Sequence, residues 1–177
     1  MVTLEQAVER VLAGDPSAFG QIVESTMNRL VRMSARMMGN MADAEDVVQE
    51  AYVKAYRALT SGQFDGRSKI ETWLTRIVVN TTLDAKRSKA RSRLSAASDT
   101  LEEHGFDGAE TQDARIALRE LATWLEDLPE DQQAVLWLKS IEGLEANEVG
   151  EILGCSEGAV EQRLVRARQA LRERRGS

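Results

Sequence analysis

The chain has 177 residues, enough for one ordinary domain or two small ones, and 42% of them are hydrophobic but only 5% aromatic. Two prolines and an abundance of Ala, Leu, Glu, Arg and Gln predict an all-α protein with small cores rather than a large sheet. No apolar run approaches about 18 residues, no basic-then-hydrophobic leader opens the chain, and the single cysteine, Cys155, admits no internal disulfide, so the expectation is a cytoplasmic protein without membrane insertion.

The net charge of −6 is unevenly spread. Residues 1–93 hold 14 basic and 11 acidic side chains, residues 94–114 hold 6 acidic and no basic ones, and residues 115–177 hold 9 basic and 12 acidic ones. For a nucleic-acid binder this distribution matters more than the sum.

In chain order, Leu4, Ala7, Val8 and Val11 predict a short amphipathic helix that Gly14 ends. Asp15 is placed as an N-cap, with Pro16 at the first helical position. The next helix carries Phe19, Ile22, Val23, Met27, Leu30, Val31 and Met37. Its methionines, with Met33, Met38 and Met41, read as core filling at helical spacing rather than as a pliable binding surface. Gly39-Asn40 breaks the helix.

The stretch from Asp43 to Arg87 has two faces in each half. Val48, Tyr52, Ala55 and Leu59 form one buried stripe, while Asp46, Gln49, Glu50 and Val53 share another face at i, i+3, i+4, i+7. That second face is acidic around an apolar residue, which suits docking of a partner. A loop with Gly62 and Gly66, anchored by Phe64, follows. Ile70, Leu74, Ile77, Val78 and Thr81 then point inward, and Lys69, Trp73, Arg76, Asn80, Asp84 and Arg87 form an outer stripe roughly 27 Å long. Cations hold phosphates, an amide reads a base edge and an indole stacks on an unpaired base. The competing reading of this stripe is a solvated face with Trp73 in the core. Lys86 to Arg93, with five cations in eight residues, extends the stripe as a phosphate track.

From Leu94 to Asp113 the periodicity fails and a mobile acidic linker is expected. One histidine and one cysteine cannot assemble a metal site, and no Gly-rich phosphate loop occurs, so neither a cofactor nor an enzyme is expected. Beyond the linker, Ile116, Leu118, Leu121, Leu125 and Leu128 predict a helix closed by Pro129, and Ala134, Val135, Leu138 and Ile141 a second one ended near Gly143. Residues 145–160 then read as a helix-turn-helix: a short helix, a turn at Gly154-Cys155, and a helix capped by Ser156. Val149, Ile152, Val160 and Leu164 would bury between the helices, small Gly150 would allow close approach, and Cys155 would be a half-buried turn residue. The last helix carries Arg163, Arg166, Arg168, Arg172, Arg174 and Arg175.

The run Asp43-Ala44-Glu45-Asp46-Val47-Val48-Gln49-Glu50, then Phe64, Trp73-Leu74, Arg76-Ile77, Asn80, Asp84 and Arg87, resembles region 2 of bacterial RNA polymerase sigma factors of the extracytoplasmic-function (group IV) type. Leu128-Pro129, Glu142-Gly143-Leu144 and the helix-turn-helix resemble region 4 of the same family. The resemblance spans residues 15–93 and 115–175 in the family's order. It implies a region 2 helical bundle over 1–93, a flexible linker over 94–114 and a region 4 helix-turn-helix domain over 115–177. It also implies a transcription initiation factor with three partners: core RNA polymerase through its large-subunit coiled coil and its flap, promoter DNA, and an anti-sigma factor.

By the resemblance, Asp46, Gln49, Glu50 and Val53 dock on the polymerase, and Arg67, Lys69, Trp73, Arg76, Asn80 and Arg87 hold the melted −10 strand. Ser156, Ala159, Glu161, Gln162, Arg163 and Arg166 face the −35 duplex. Ala159 and Glu161 depart from the threonine and basic residue common in the family, which leaves two outcomes open: a distinct base preference set by Glu161, or weak duplex binding offset by Arg163, Arg166 and Arg168. Two rival readings are a sigma mimic that sequesters an anti-sigma factor without touching DNA, favoured by the acidic total, and a helix-turn-helix repressor, which leaves the Asp43–Arg87 faces unexplained.

Overall fold

The computed structural model describes residues 3–96, 120–121 and 123–176, and no strand occurs among them. The chain divides into two compact units, residues 1–95 and 96–177. Most of the expected linker, with Ile116 and Leu118, lies outside the described residues.

In the first unit, α1 spans Leu4–Leu12 and opens with a capping box in which Thr3 and Gln6 satisfy each other's backbone donors. Ala7, Val8 and Val11 are buried, and Gly14 turns the chain at φ +95°. Asp15 caps a 3₁₀ turn over Pro16–Ala18. The Ser17 hydroxyl and the Arg10 guanidinium both hydrogen-bond its carboxylate, and together they hold it below its ordinary range. Helix α2 runs Phe19–Met38 and ends at Gly39 in the left-handed region, and Asn40 caps α3, Met41–Thr60, by accepting from the Asp43 amide. Helix α4 runs Ile70–Ala96.

The core of this unit holds Ile22, Leu30, Met33, Val48, Leu59, Leu74, Val78 and Val79. Met33 and Met37 fill it as expected, Met27 and Met38 are half-buried, and Met41 is exposed at the start of α3. A seam of hydroxyls crosses the core. Thr26 donates to the Ile22 carbonyl at 2.6 Å, which leaves the Tyr52 hydroxyl to donate to Thr26, also at 2.6 Å. Thr82 donates to the Val78 carbonyl, so Ser34 donates to Thr82 at 3.0 Å. Arg29 reaches Thr75 at 3.1 Å. Buried polar groups are tolerated only when paired, so these bonds set the register of α2 against α3 and α4.

Tyr52→Phe should lower stability by about 0.5–1.5 kcal/mol, the usual net value of one buried hydrogen bond. A urea midpoint that does not move would show that the bond contributes nothing. Burial also pushes the Tyr52 phenol above its ordinary range, an effect that the Thr26 bond and the charge of Arg29 oppose. Because the folded-state pKa is raised, the Tyr52 contribution is complete below the unfolded value of about 10 and declines as pH climbs from there toward the raised value.

In the second unit, residues 123–126 are helical and Leu128 is buried. Pro129 stands at the N-cap of α5, Glu130–Leu136, which continues as a π-helical turn over Trp137–Ile141. Ala134, Val135 and Leu138 are buried as expected, but Ile141 is 49% exposed and Trp137 is buried instead. The wider π turn accounts for the difference, because it rotates the residues after Leu138 off the 3.6-residue face. Helix α6 spans Ala146–Leu153, Gly154 ends it at φ +67°, and Ser156 caps α7, Glu157–Arg175, by accepting from the Ala159 amide at 3.2 Å.

Val149, Ile152, Val160 and Leu164 are buried, completing the expected helix-turn-helix. Gly150 is where the turn folds back on α6: the Cys155 amide donates to its carbonyl at 3.0 Å, and a Cβ there would stand 2.7 Å from the Cys155 carbonyl oxygen.

Candidate nucleic-acid and partner interfaces

The outer face of α3 carries Asp46, Gln49, Glu50 and Val53, all exposed, with Val53 at 50%. Their burial pattern follows from the opposite face, where Ala44, Val47, Val48, Ala51 and Tyr52 are drawn into the core. Glu50 pairs with Lys54 one turn on at 2.7 Å. Asp43 is tied to Lys89 of α4, which anchors the far end of α4 against the start of α3. Lys89, within the basic run, therefore has an internal partner.

Beside this face, α3 and α4 enclose a groove of about 390 Å³ lined by Lys54, Gln63, Trp73, Arg76, Asn80 and Asp84, among others. Three residues of the expected strand-holding set, Trp73, Arg76 and Asn80, meet in it. Trp73 is neither a core residue nor fully solvated: it is half-buried, with the Phe64 ring edge-on at 5.1 Å. Phe64 thus anchors the loop through the indole. An aromatic wall, an amide and a guanidinium around one concavity can stack on, read and neutralise a single unpaired nucleotide.

Arg67 and Lys69 lie outside the lining, Arg67 in the loop with its side chain 89% exposed and paired to Asp65 at 3.2 Å. Arg87 sits farther along α4 and pairs with Asp84 at 2.9 Å.

On α7, Glu161, Gln162 and Arg166 are exposed together on the N-terminal half. The Ser156 hydroxyl is engaged as the cap and Ala159 is half-buried. Arg163 departs from the expected set. Its Nε lies 3.0 Å from Asp131 Oδ2 and its Nη1 donates to Cys155 Sγ at 3.2 Å.

Residues 22–92 match Sigma-70 region 2, and residues 118–171 match Sigma-70 region 4. The chain is 34% identical to the ECF RNA polymerase sigma factor SigW of Bacillus subtilis over 96% of its own length and 95% of that protein's. The chain belongs to the extracytoplasmic-function sigma factors. Its fold is similar to CnrH, solved in complex with the cytosolic domain of CnrY, at a TM-score of 0.67 and 28% identity over 94% of this chain and 93% of that one. It also shares the fold of the sigma factor RpoE of Bartonella quintana, solved with the anti-sigma factor NepR, at a TM-score of 0.62 and 23% identity over 88% and 94% of the two chains. Among its described residues, no helix of this sigma factor is long and apolar enough to cross a membrane.

Three features of this sigma factor escape a reading by periodicity. Lys54 and Gln63 line the groove from α3 and the following loop, which no single-helix pattern relates to α4. Val165, 62% exposed, stands on the outer side of α7 with Gln162 and Gln169, where its apolar character carries no helical signal of its own. Asp127 and Asp131, four residues apart around Pro129, take up two of the arginines of α7.

Proposed function

We propose that this sigma factor joins core RNA polymerase in the cytoplasm through the exposed α3 face and directs it to promoters. In this reading the groove between α3 and α4 captures the melted −10 strand, and α7 reads the −35 element as duplex. Arg67, Lys69 and Arg87 flank the groove as contacts to the strand's phosphates. The observation that carries the reading is the adjacency, within one unit, of an acidic face with an apolar centre and a groove combining Trp73, Arg76 and Asn80. The complex of CnrH with CnrY supports regulation by a bound protein, and we extend it here as an anti-sigma factor that hides these surfaces. The region 2 unit, the acidic connector over 94–114 and the region 4 unit would be the parts that such a partner holds.

Run-off transcription with purified core polymerase tests the proposal, with Trp73→Ala as the informative variant. Base–aromatic stacking contributes about 1–3 kcal/mol per base, so open-complex formation should fall roughly 5- to 150-fold with core affinity unchanged. The lost edge contact to Phe64 costs only about 0.5–1.5 kcal/mol of stability. An unchanged permanganate footprint with a lowered melting temperature would make Trp73 structural. Failure of the wild type to initiate, with tight binding of an anti-sigma factor, would make the chain a mimic.

A further inference from the structure

Sequence spacing places Arg163 beside Gln162 in the duplex-facing set, yet its side chain crosses the fold. It is 30% exposed, and a single planar guanidinium holds Asp131 in the first turn of α5 and Cys155 in the interhelical turn while belonging itself to α7. Eleven residues on, Arg174 pairs with Asp127 at 2.5 Å. Eleven residues are about three helical turns, so both arginines stand on one side of α7 and hold two aspartates that flank Pro129.

Beside them the buried stripe of Val160, Leu164 and Ala167 packs by area alone. Apolar packing resists separation but is non-directional, so it opposes rolling or sliding of a helix weakly. A planar guanidinium that pairs with Asp131 through Nε and donates a hydrogen bond to Cys155 through Nη1 is constrained in direction, and lysine, a point charge on a flexible stem, cannot replace it at both partners.

We infer that Arg163 is a positioning residue of duplex recognition, one that fixes the roll of α7 against α5 and the turn so that Glu161, Gln162 and Arg166 meet the groove, and that it makes no phosphate or base contact of its own. The inference rests on the duplex reading proposed for α7. It assigns the salt-dependent part of −35 binding on this half of the helix to Arg166 rather than to Arg163.

The test uses holoenzyme assembled from the full chain and core polymerase, titrated with promoter and scrambled duplexes over a range of salt. Arg163→Gln should lower the ratio of specific to non-specific affinity about tenfold, within the range of coupling between residues that share an ion pair, and leave the salt slope unchanged. Arg166→Gln should reduce that slope by about 0.9, the value of one released counterion. Arg163→Lys should recover part of the ratio, and the swap Arg163→Asp with Asp131→Arg should recover most of it.

A slope reduced by about 0.9 in Arg163→Gln, with no recovery in the swap, would overturn the inference by making Arg163 a phosphate contact. So would a loss confined to the fraction of active holoenzyme and the melting temperature, with the affinity of the remaining molecules intact, because that is a folding role only. Wild-type holoenzyme that shows no preference at any position of the upstream element would instead overturn the duplex reading of α7 itself.

Discussion

Replacing Asp46 and Glu50 together by lysine is expected to weaken binding to core RNA polymerase at least a hundredfold while leaving the protein folded. Both side chains are exposed on α3, beside the apolar Val53 and away from the core stripe. The folding consequences are small on that account. The variant loses the Glu50–Lys54 pair and sets a lysine four residues from Lys54, effects of about 0.3–0.5 kcal/mol each in an exposed helix.

At an interface the same reversal places like charges opposite each other in a setting closed to water, which costs several kcal/mol. Every 1.4 kcal/mol is about tenfold in affinity, so the binding loss exceeds the stability change by a wide margin. Equilibrium binding of the labelled chain to core polymerase, paired with circular dichroism and a thermal melt, separates the two. Wild-type affinity in the double variant would remove this face from the docking surface.

The second large effect is expected at Gly150. Alanine there gains helix propensity worth about 1 kcal/mol over glycine. Its Cβ would sit 2.7 Å from the Cys155 carbonyl oxygen, a backbone atom that no rotamer change can withdraw. Overpacking of this kind costs about 1–3 kcal/mol and occasionally more, so Gly150→Ala should destabilise the second unit modestly and Gly150→Val severely.

The consequence reaches function because the turn at Cys155 sets where α7 starts. Gly150→Val holoenzyme should lose specific binding to the upstream element yet still bind core polymerase and a preformed bubble through the first unit. Amide hydrogen exchange should rise across α6 and α7 and stay unchanged in α2 and α3. A neutral or stabilised Gly150→Ala protein would show that the turn yields without cost.

Much of this protein was legible in its sequence because the determining forces are local or periodic. Helical composition, the 3.6-residue stripes, the caps at Asp15 and Ser156, and the breaks at Gly39 and Gly154 each depend on residues within a turn or two of one another. The two faces of α3 and the outward stripe of α4 follow from the same periodicity, whereas the likeness to regions 2 and 4 rests on residue identities along the chain. A side chain's direction along a helix is set by its position in the repeat, with no need to know what lies across the fold.

Pairing across the fold is a different matter, and only the tertiary structure decided it. Lys89 and Arg163 look, in sequence, like any other cation on a basic helix. In the folded chain one is tied to Asp43 and the other to Asp131 and Cys155, partners 46, 32 and 8 residues away. Periodicity alone leaves Trp73 open between core and surface; in the folded chain Phe64 packs edge-on against it, and the groove it shares with Lys54 and Gln63 exists only where α3, a loop and α4 converge. Ile141 kept its place in the helical repeat but lost its burial to a π turn. Periodicity states which way a residue points. Which charge it meets there depends on how separate helices approach each other, and that geometry is a property of the packed core as a whole.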